Sequence, residues 1–145
     1  MNELVKSIEK SKVLLILEWY KKRFKRSKYC KEYPTIYLYK SGGTSIEKTG
    51  ARGAYENGII SIYLGSIISM KELCETIGHE YKHYLLNEKE YEKIYIKLSK
   101  SASYKNDDEV YDNHPHEIKC SRFELKWGSI CFKELKNKLY KKNKG

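Results

Sequence analysis

No long apolar run occurs in this sequence. The stretch from Val13 to Leu17 is interrupted by Glu18. It falls far short of the roughly 20 residues that span a bilayer and does not form a signal-peptide core. No membrane partner is expected, and the chain is expected to be cytoplasmic. No two of the four cysteines, Cys30, Cys74, Cys120 and Cys131, form a CxxC pair. With no secretory signal, nothing favours an oxidising compartment or disulfides. Cys74 and Cys120 fall in predicted amphipathic helices, where cysteine behaves as a small hydrophobe. Repeats and low-complexity stretches are also absent. The 145 residues fit one domain, 1–145, and leave little room for two. A domain of this size buries roughly two thirds of its unfolded surface, so it needs no metal merely to fold. A metal here would serve chemistry.

Acidic residues are missing from one segment. Between Lys21 and Lys31 stand Lys21, Lys22, Arg23, Lys25, Arg26, Lys28 and Lys31 with no acid among them. A second basic group, Lys133, Lys136, Lys138, Lys141, Lys142 and Lys144, lies towards the C-terminal end, and the formal net charge is +10. Such a field suits anionic partners, whether nucleic acid, acidic protein or a charged lipid surface, or serves only as a solvated surface.

Leu4, Ile8, Leu15 and Trp19 approach helical spacing and predict a first helix from about Asn2 to Arg26 within 1–31, its basic end exposed. Pro34 breaks the chain, and Thr35 to Tyr39 reads as a strand. Ser41 to Ser45 reads as a turn. Ala54-Tyr55 and Ile59 to Leu64 flank Glu56-Asn57-Gly58, where Asn57-Gly58 suits a two-residue hairpin turn. Residues 35–64 are therefore expected to form a small, mainly antiparallel sheet. The strongest periodic signal comes next. Ser69 and Glu72 have capping-box spacing, and Met70, Leu73, Cys74, Ile77, Tyr81, Tyr84 and Leu85 form one apolar stripe. They predict a helix over about Met70 to Leu86. Tyr91, Ile94, Tyr95 and Leu98 suggest another helix, followed by a polar loop from Ser99 to Asp108. A last helix, within 114–140, starts near Pro115, a residue favoured at the first helical position. Gly128 weakens it by about 1 kcal/mol relative to alanine. The fold class is α+β.

His79-Glu80-Tyr81-Lys82-His83 carries the chemistry. Histidines four apart on a helix project from one face, one turn apart, as two ligands of one tetrahedral zinc require. With Met70 at zero and about 100° per residue, His79 and His83 lie near 180° and 220°, opposite the apolar stripe. They face solvent or a cleft rather than the stripe's core. Glu80, near 280° on the same projection at about 100° per residue, stands where a general base for a zinc-bound water belongs. A catalytic zinc usually takes a third protein ligand. Candidates cluster in Tyr111-Asp112-Asn113-His114-Pro115-His116-Glu117.

The pattern resembles the zincin metallopeptidases, specifically the short gluzincin-like kind of the ImmA/IrrE group. A strand precedes the HExxH helix, and Pro115-His116-Glu117-Ile118-Lys119-Cys120 with Phe123 is similar to that group's Pro-x-Glu-x-x-small-x-x-Phe helix start. The resemblance covers roughly residues 50 to 125. It implies a zincin-like fold with His79, His83 and Glu117 as zinc ligands and Glu80 as the base. Cys120 stands where the group usually has alanine, and no helix-turn-helix segment is evident. Glu117 is also placed to cap its helix without any metal. His116 or His114 as third ligand would instead resemble the SprT-like proteases, which act on DNA-bound protein.

The expectation is a zinc metallopeptidase acting on protein or peptide, with Glu80 passing a proton from water to the leaving amine. The strand Ile59 to Leu64 would pair with an extended substrate. Tyr111, His114 and Tyr55 are candidate oxyanion donors. Two rivals stand beside it: a nucleic-acid-binding protein using Lys21 to Lys31, and a non-catalytic structural zinc protein with four protein ligands.

Overall fold

The computed structural model describes residues 10–40, 51–101, 103–104 and 106–140. The expected start of the first helix at Asn2 with Leu4 and Ile8, the turn at Ser41 to Ser45, and Lys141, Lys142 and Lys144 lie outside these residues. The fold is α+β. In chain order the elements are α1 (Lys10–Phe24), β1 (Thr35–Tyr39), β2 (Gly53–Glu56), β3 (Ile59–Tyr63), a short 3-10 turn (Leu64–Ser66), α2 (Met70–Leu85), α3 (Glu88–Ser99), α4 (Asp107–Asn113) and α5 (Pro115–Leu139).

The sheet is mixed rather than mainly antiparallel. Its order is β1-β3-β2, with β2 and β3 antiparallel and β1 and β3 parallel. The hairpin forms as its turn residues dictate. Asn57 and Gly58 both take positive φ, 48° and 83°, the backbone a tight hairpin turn needs. The parallel pair has a different cause. After β1 the chain runs to the far edge as β2 and returns through the middle as β3. This ordering corrects the expectation for substrate pairing. β3 is the central strand, with both backbone edges occupied, and β2 is the edge strand beside α2.

α2 is the axis of the molecule. Ser69 Oγ accepts the Glu72 N–H at 3.1 Å, while Glu72 Oε1 accepts the Ile68 N–H at 3.3 Å, so the reciprocal bond falls one residue earlier than in a strict capping box. The helix is buried nearly all round. It packs most extensively on α5 and also meets α1, β2 and β3. Gly128 makes the α5 contact possible, because a Cβ there would lie 2.8 Å from Glu75 Cα. A glycine that weakens an isolated helix therefore sets the closest approach of two packed ones.

Three tyrosines fill the core beside α2, and each finds an acceptor for its hydroxyl, as buried tyrosine requires. Tyr20 OH donates to Cys74 O at 2.8 Å, Tyr84 OH to Glu32 O at 2.7 Å, and Tyr81 OH to Lys25 O. Each bond contributes about 1 kcal/mol net. Together they tie α1 and the segment after it to α2. α1 itself ends at Lys25, whose φ of 66° is left-handed and whose N–H donates to Lys21 O. Tyr20, Phe24, Phe123 and Trp127 form an aromatic cluster where α1 meets α5. Among the described residues, no helix is long and apolar enough to cross a membrane.

Candidate metal centre

The face of α2 opposite its apolar stripe looks onto α5, not solvent. His79 is 9% exposed and Glu80 6%. The imidazole centroids of His79 and His83 are 5.1 Å apart. Both rings point Nε2 at one atom, Glu117 Oε1, at 3.2 Å from His79 and 2.9 Å from His83. Glu117 reaches that point because α5 starts at Pro115, which puts it in the first turn against α2. Its other oxygen, Oε2, accepts the Tyr91 hydroxyl at 2.7 Å. The carboxylate is thus fixed at both ends.

Glu124 lies two turns beyond Glu117 on the same face of α5. Its Oε1 accepts from His79 Nδ1 at 2.8 Å, and its Oε2 from Arg52 Nη2 at 3.2 Å. Arg52 also approaches Glu72, with 3.8 Å between Nη1 and Oε2. This chain of charges holds the Nδ1 side of the His79 ring and turns Nε2 towards Glu117, the ring orientation that metal-binding histidines usually show.

The electrostatics follow from crowding charges in a dry place. Burial lowers the pKa of His79, but hydrogen bonds to Glu117 and Glu124 outweigh it and raise the group to about 10. Burial alone would raise Glu117, yet its bonds to His79 and His83 hold it well below the ordinary carboxylate range. Glu80 has no such partner bond, and burial pushes its carboxyl up. It packs beneath β2: a Cβ at Gly53 would stand 3.2 Å from Glu80 Oε2, so the missing side chain makes room for the carboxylate.

A cleft of about 770 Å³ opens over these groups. β2 and the hairpin turn, Gly53 to Asn57, form one wall, and Tyr91 and Tyr111 stand on the other side of Glu80, His83 and Glu117. Burial raises the Tyr111 hydroxyl pKa, helped by the Glu117 and Glu80 charges beside it. Tyr55 also lines the cleft, but its hydroxyl accepts the Gly58 N–H at 3.0 Å and so braces the turn.

The histidines near α5 do not join this cluster. His114 is the N-cap of α5. Its Nδ1 accepts the His116 N–H at 3.0 Å, and its Nε2 donates to Tyr91 O at 2.9 Å. Both ring nitrogens are occupied, and the ring stacks on Tyr91 with centroids 3.9 Å apart. His116 instead turns Nε2 towards Glu90 Oε1 at 3.3 Å. Of the sequence-derived candidates, the structure brings together His79, Glu80, His83 and Glu117.

Several participants escaped the sequence reading. Cys120 offers a sulfur that lies, with one donor atom each from His79 and His83, in a group whose members are all within 4.8 Å. Glu124 carried a usable signal, its spacing of seven from Glu117 on one helix. Arg52 and Tyr91 carried none, since only the tertiary fold brings them near. No protein-family model, curated protein or solved structure matches the chain.

Proposed function

We propose that this protein is a zinc-dependent peptidase of zincin-like fold. The observation that carries the reading is the convergence of two α2 imidazoles on the Glu117 carboxylate, beside a buried second carboxylate, under a cleft walled by a sheet edge. Two neutral imidazole nitrogens and one carboxylate oxygen are the donor set of a His2Glu catalytic zinc. His79, His83 and Glu117 would hold the ion, which when bound supplies Lewis acidity to the scissile carbonyl and acidifies water.

The remaining roles fall to the chain's own groups. Glu80 takes the proton from the attacking water and passes it to the leaving amine. Its raised carboxyl suits that exchange better than an exposed glutamate would, because both protonation states are then accessible nearer neutrality. Glu124 holds the His79 tautomer. β2, an edge strand among the described residues, offers its backbone to an extended peptide, in the manner of strand addition. Tyr111, on the cleft wall near Glu80 and Glu117, is the donor assigned to the oxyanion.

The test is metal content together with hydrolysis of a fluorogenic peptide library. Gently purified wild type should carry zinc and cleave. Glu80→Gln should keep the zinc and lose on the order of 10²–10⁴-fold in rate. Wild-type protein that neither carries nor takes up zinc sinks the proposal.

Nucleic-acid binding is the second reading, favoured by the exposed lysines of the Lys21 to Lys31 segment. Arg26 Nη1 donates to Cys30 O at 2.6 Å and Lys31 O at 3.0 Å, and Arg23 pairs with Glu134 at 3.1 Å while covering Trp19. These arginines hold the fold. Lys22, Lys25, Lys28 and Lys31 are exposed, with exposed Tyr29 and Tyr33 nearby in the chain. This reading is therefore tested by charge reversal at those four lysines and the resulting salt dependence of binding.

A further inference from the structure

The histidine pair has one more donor beside it than a His2Glu centre uses. Cys120 follows Glu117 by three residues on α5, so both side chains leave the same face of that helix. It is completely buried, and its sulfur and the two histidine donor atoms lie within 4.8 Å of one another. Among the described residues no hydrogen bond engages its thiol. A buried cysteine serving only as a small hydrophobe would be surrounded by apolar side chains. This one shares its surroundings with two imidazoles.

We propose that Cys120 is a metal ligand, its thiolate completing a four-donor centre with His79, His83 and Glu117. The inference rests on the reading that this site binds a metal. Metal binding breaks the S–H bond, forms a sulfur–metal bond and releases the proton to solvent. Donor separations in a tetrahedral centre with bonds of about 2.0–2.3 Å are roughly 3–4 Å, so His79, His83 and Cys120 close by a movement on the order of 1 Å, while Glu117, which is not in that close group and is now bonded to both imidazoles, joins by a further shift of its own.

Two properties follow. The first is selectivity: a thiolate favours zinc and other soft or borderline ions over magnesium, calcium or manganese. The second concerns access. Four protein donors fill a tetrahedral zinc and leave no position for water or substrate. The resting centre is closed, and hydrolysis requires Cys120 to give up its place. Alanine at this position would leave the site open.

The experiment uses the full chain stripped of metal and titrated with Co²⁺, with Cys120→Ala and Cys120→Ser alongside. Wild type should bind one equivalent and show both the visible bands of tetrahedral cobalt and a near-ultraviolet sulfur-to-cobalt charge-transfer band. Both variants should still bind one equivalent and lose the charge-transfer band. Zinc-loaded Cys120→Ala should hydrolyse peptide several-fold faster than wild type. Visible bands without the charge-transfer band in wild type overturn the inference and leave the peptidase proposal standing. So does a charge-transfer band that persists in both variants, which would assign the sulfur to another cysteine. Wild type that binds no cobalt overturns both. The wild-type spectrum decides the matter even where a variant folds poorly.

Discussion

The chain has four histidines in two close pairs, and the pairs do opposite work. His79 and His83 sit four apart inside a helix, so their rings lie on one side and aim at a common point. His114 and His116 sit two apart across a helix start, so they diverge. One caps α5 and leans on Tyr91, and the other turns to Glu90. Spacing decides whether two imidazoles share a target, and the partners of each ring decide what is left to offer. His79 has Nδ1 on Glu124 and turns Nε2 to the shared Glu117 oxygen, a side-chain partner that a cation could displace. His114 has spent both nitrogens on backbone groups.

The largest expected effect separates the pairs by metal. His83→Ala should abolish stoichiometric zinc in the purified protein, measured by atomic emission, whereas His116→Ala should retain it. If both lose zinc equally, the distinction between the pairs is wrong. A smaller effect tests the support behind His79. Glu124→Gln should weaken zinc affinity by about 10–100-fold in a competitive chelator titration, with the fold retained. An unchanged affinity would reduce Glu124 to a packing residue with an ion pair to Arg52.

The smallest effect is a titration of the metal-free protein followed by histidine NMR. His79 should stay protonated through neutrality and release its proton near pH 10, because its carboxylate partners raise it. His114 should be neutral at pH 7, because burial lowers it below the ordinary 6.5. The signs give opposite stability windows. The His79 contribution is fully present below its unfolded value of about 6.5 and is lost as pH rises through about 10. The His114 contribution is present above about 6.5 and is lost as pH falls through its lower folded value. Two histidines titrating together near 6.5 would contradict both halves.

Local chemistry was legible in the sequence, and tertiary chemistry was not. The apolar stripe and Ser69 place α2 within a residue of its end, Asn57-Gly58 places the hairpin, and Pro115 places the start of α5. Each signal lies within a few residues of what it specifies. The parallel pairing of β1 with β3 has no such signal, since nothing in either strand states which edge the chain will reach first. α4 has no signal of its own: its first two residues, Asp107 and Asp108, fall at the end of the expected polar loop, and with Val110 as its buried residue it shows no apolar stripe. It is held by Asn106 at its N-cap and by acids in its first turn. The helical projection correctly set His79 and His83 apart from the stripe, yet left open what faced them. A helix buried nearly all round has little solvent face, so most of its central polar residues look into a second interface. From the sequence Cys120 reads only as a small hydrophobe, because burial alone does not distinguish a sulfur among apolar side chains from one beside two imidazoles.

Gly128 has a mechanical consequence. The crossing with Glu75 acts as a fulcrum for α5, and Glu117 sits 11 residues away along that lever, about 16 Å at 1.5 Å per residue. A tilt of about 5° at the crossing would carry Glu117 on the order of 1 Å across the histidine pair, a large fraction of a metal–ligand bond. A methyl group added at position 128 would meet the α2 backbone at 2.8 Å and force such a tilt or a lateral shift. The distance from Glu117 to the histidine pair is therefore set remotely, by the missing side chain where the two helices cross.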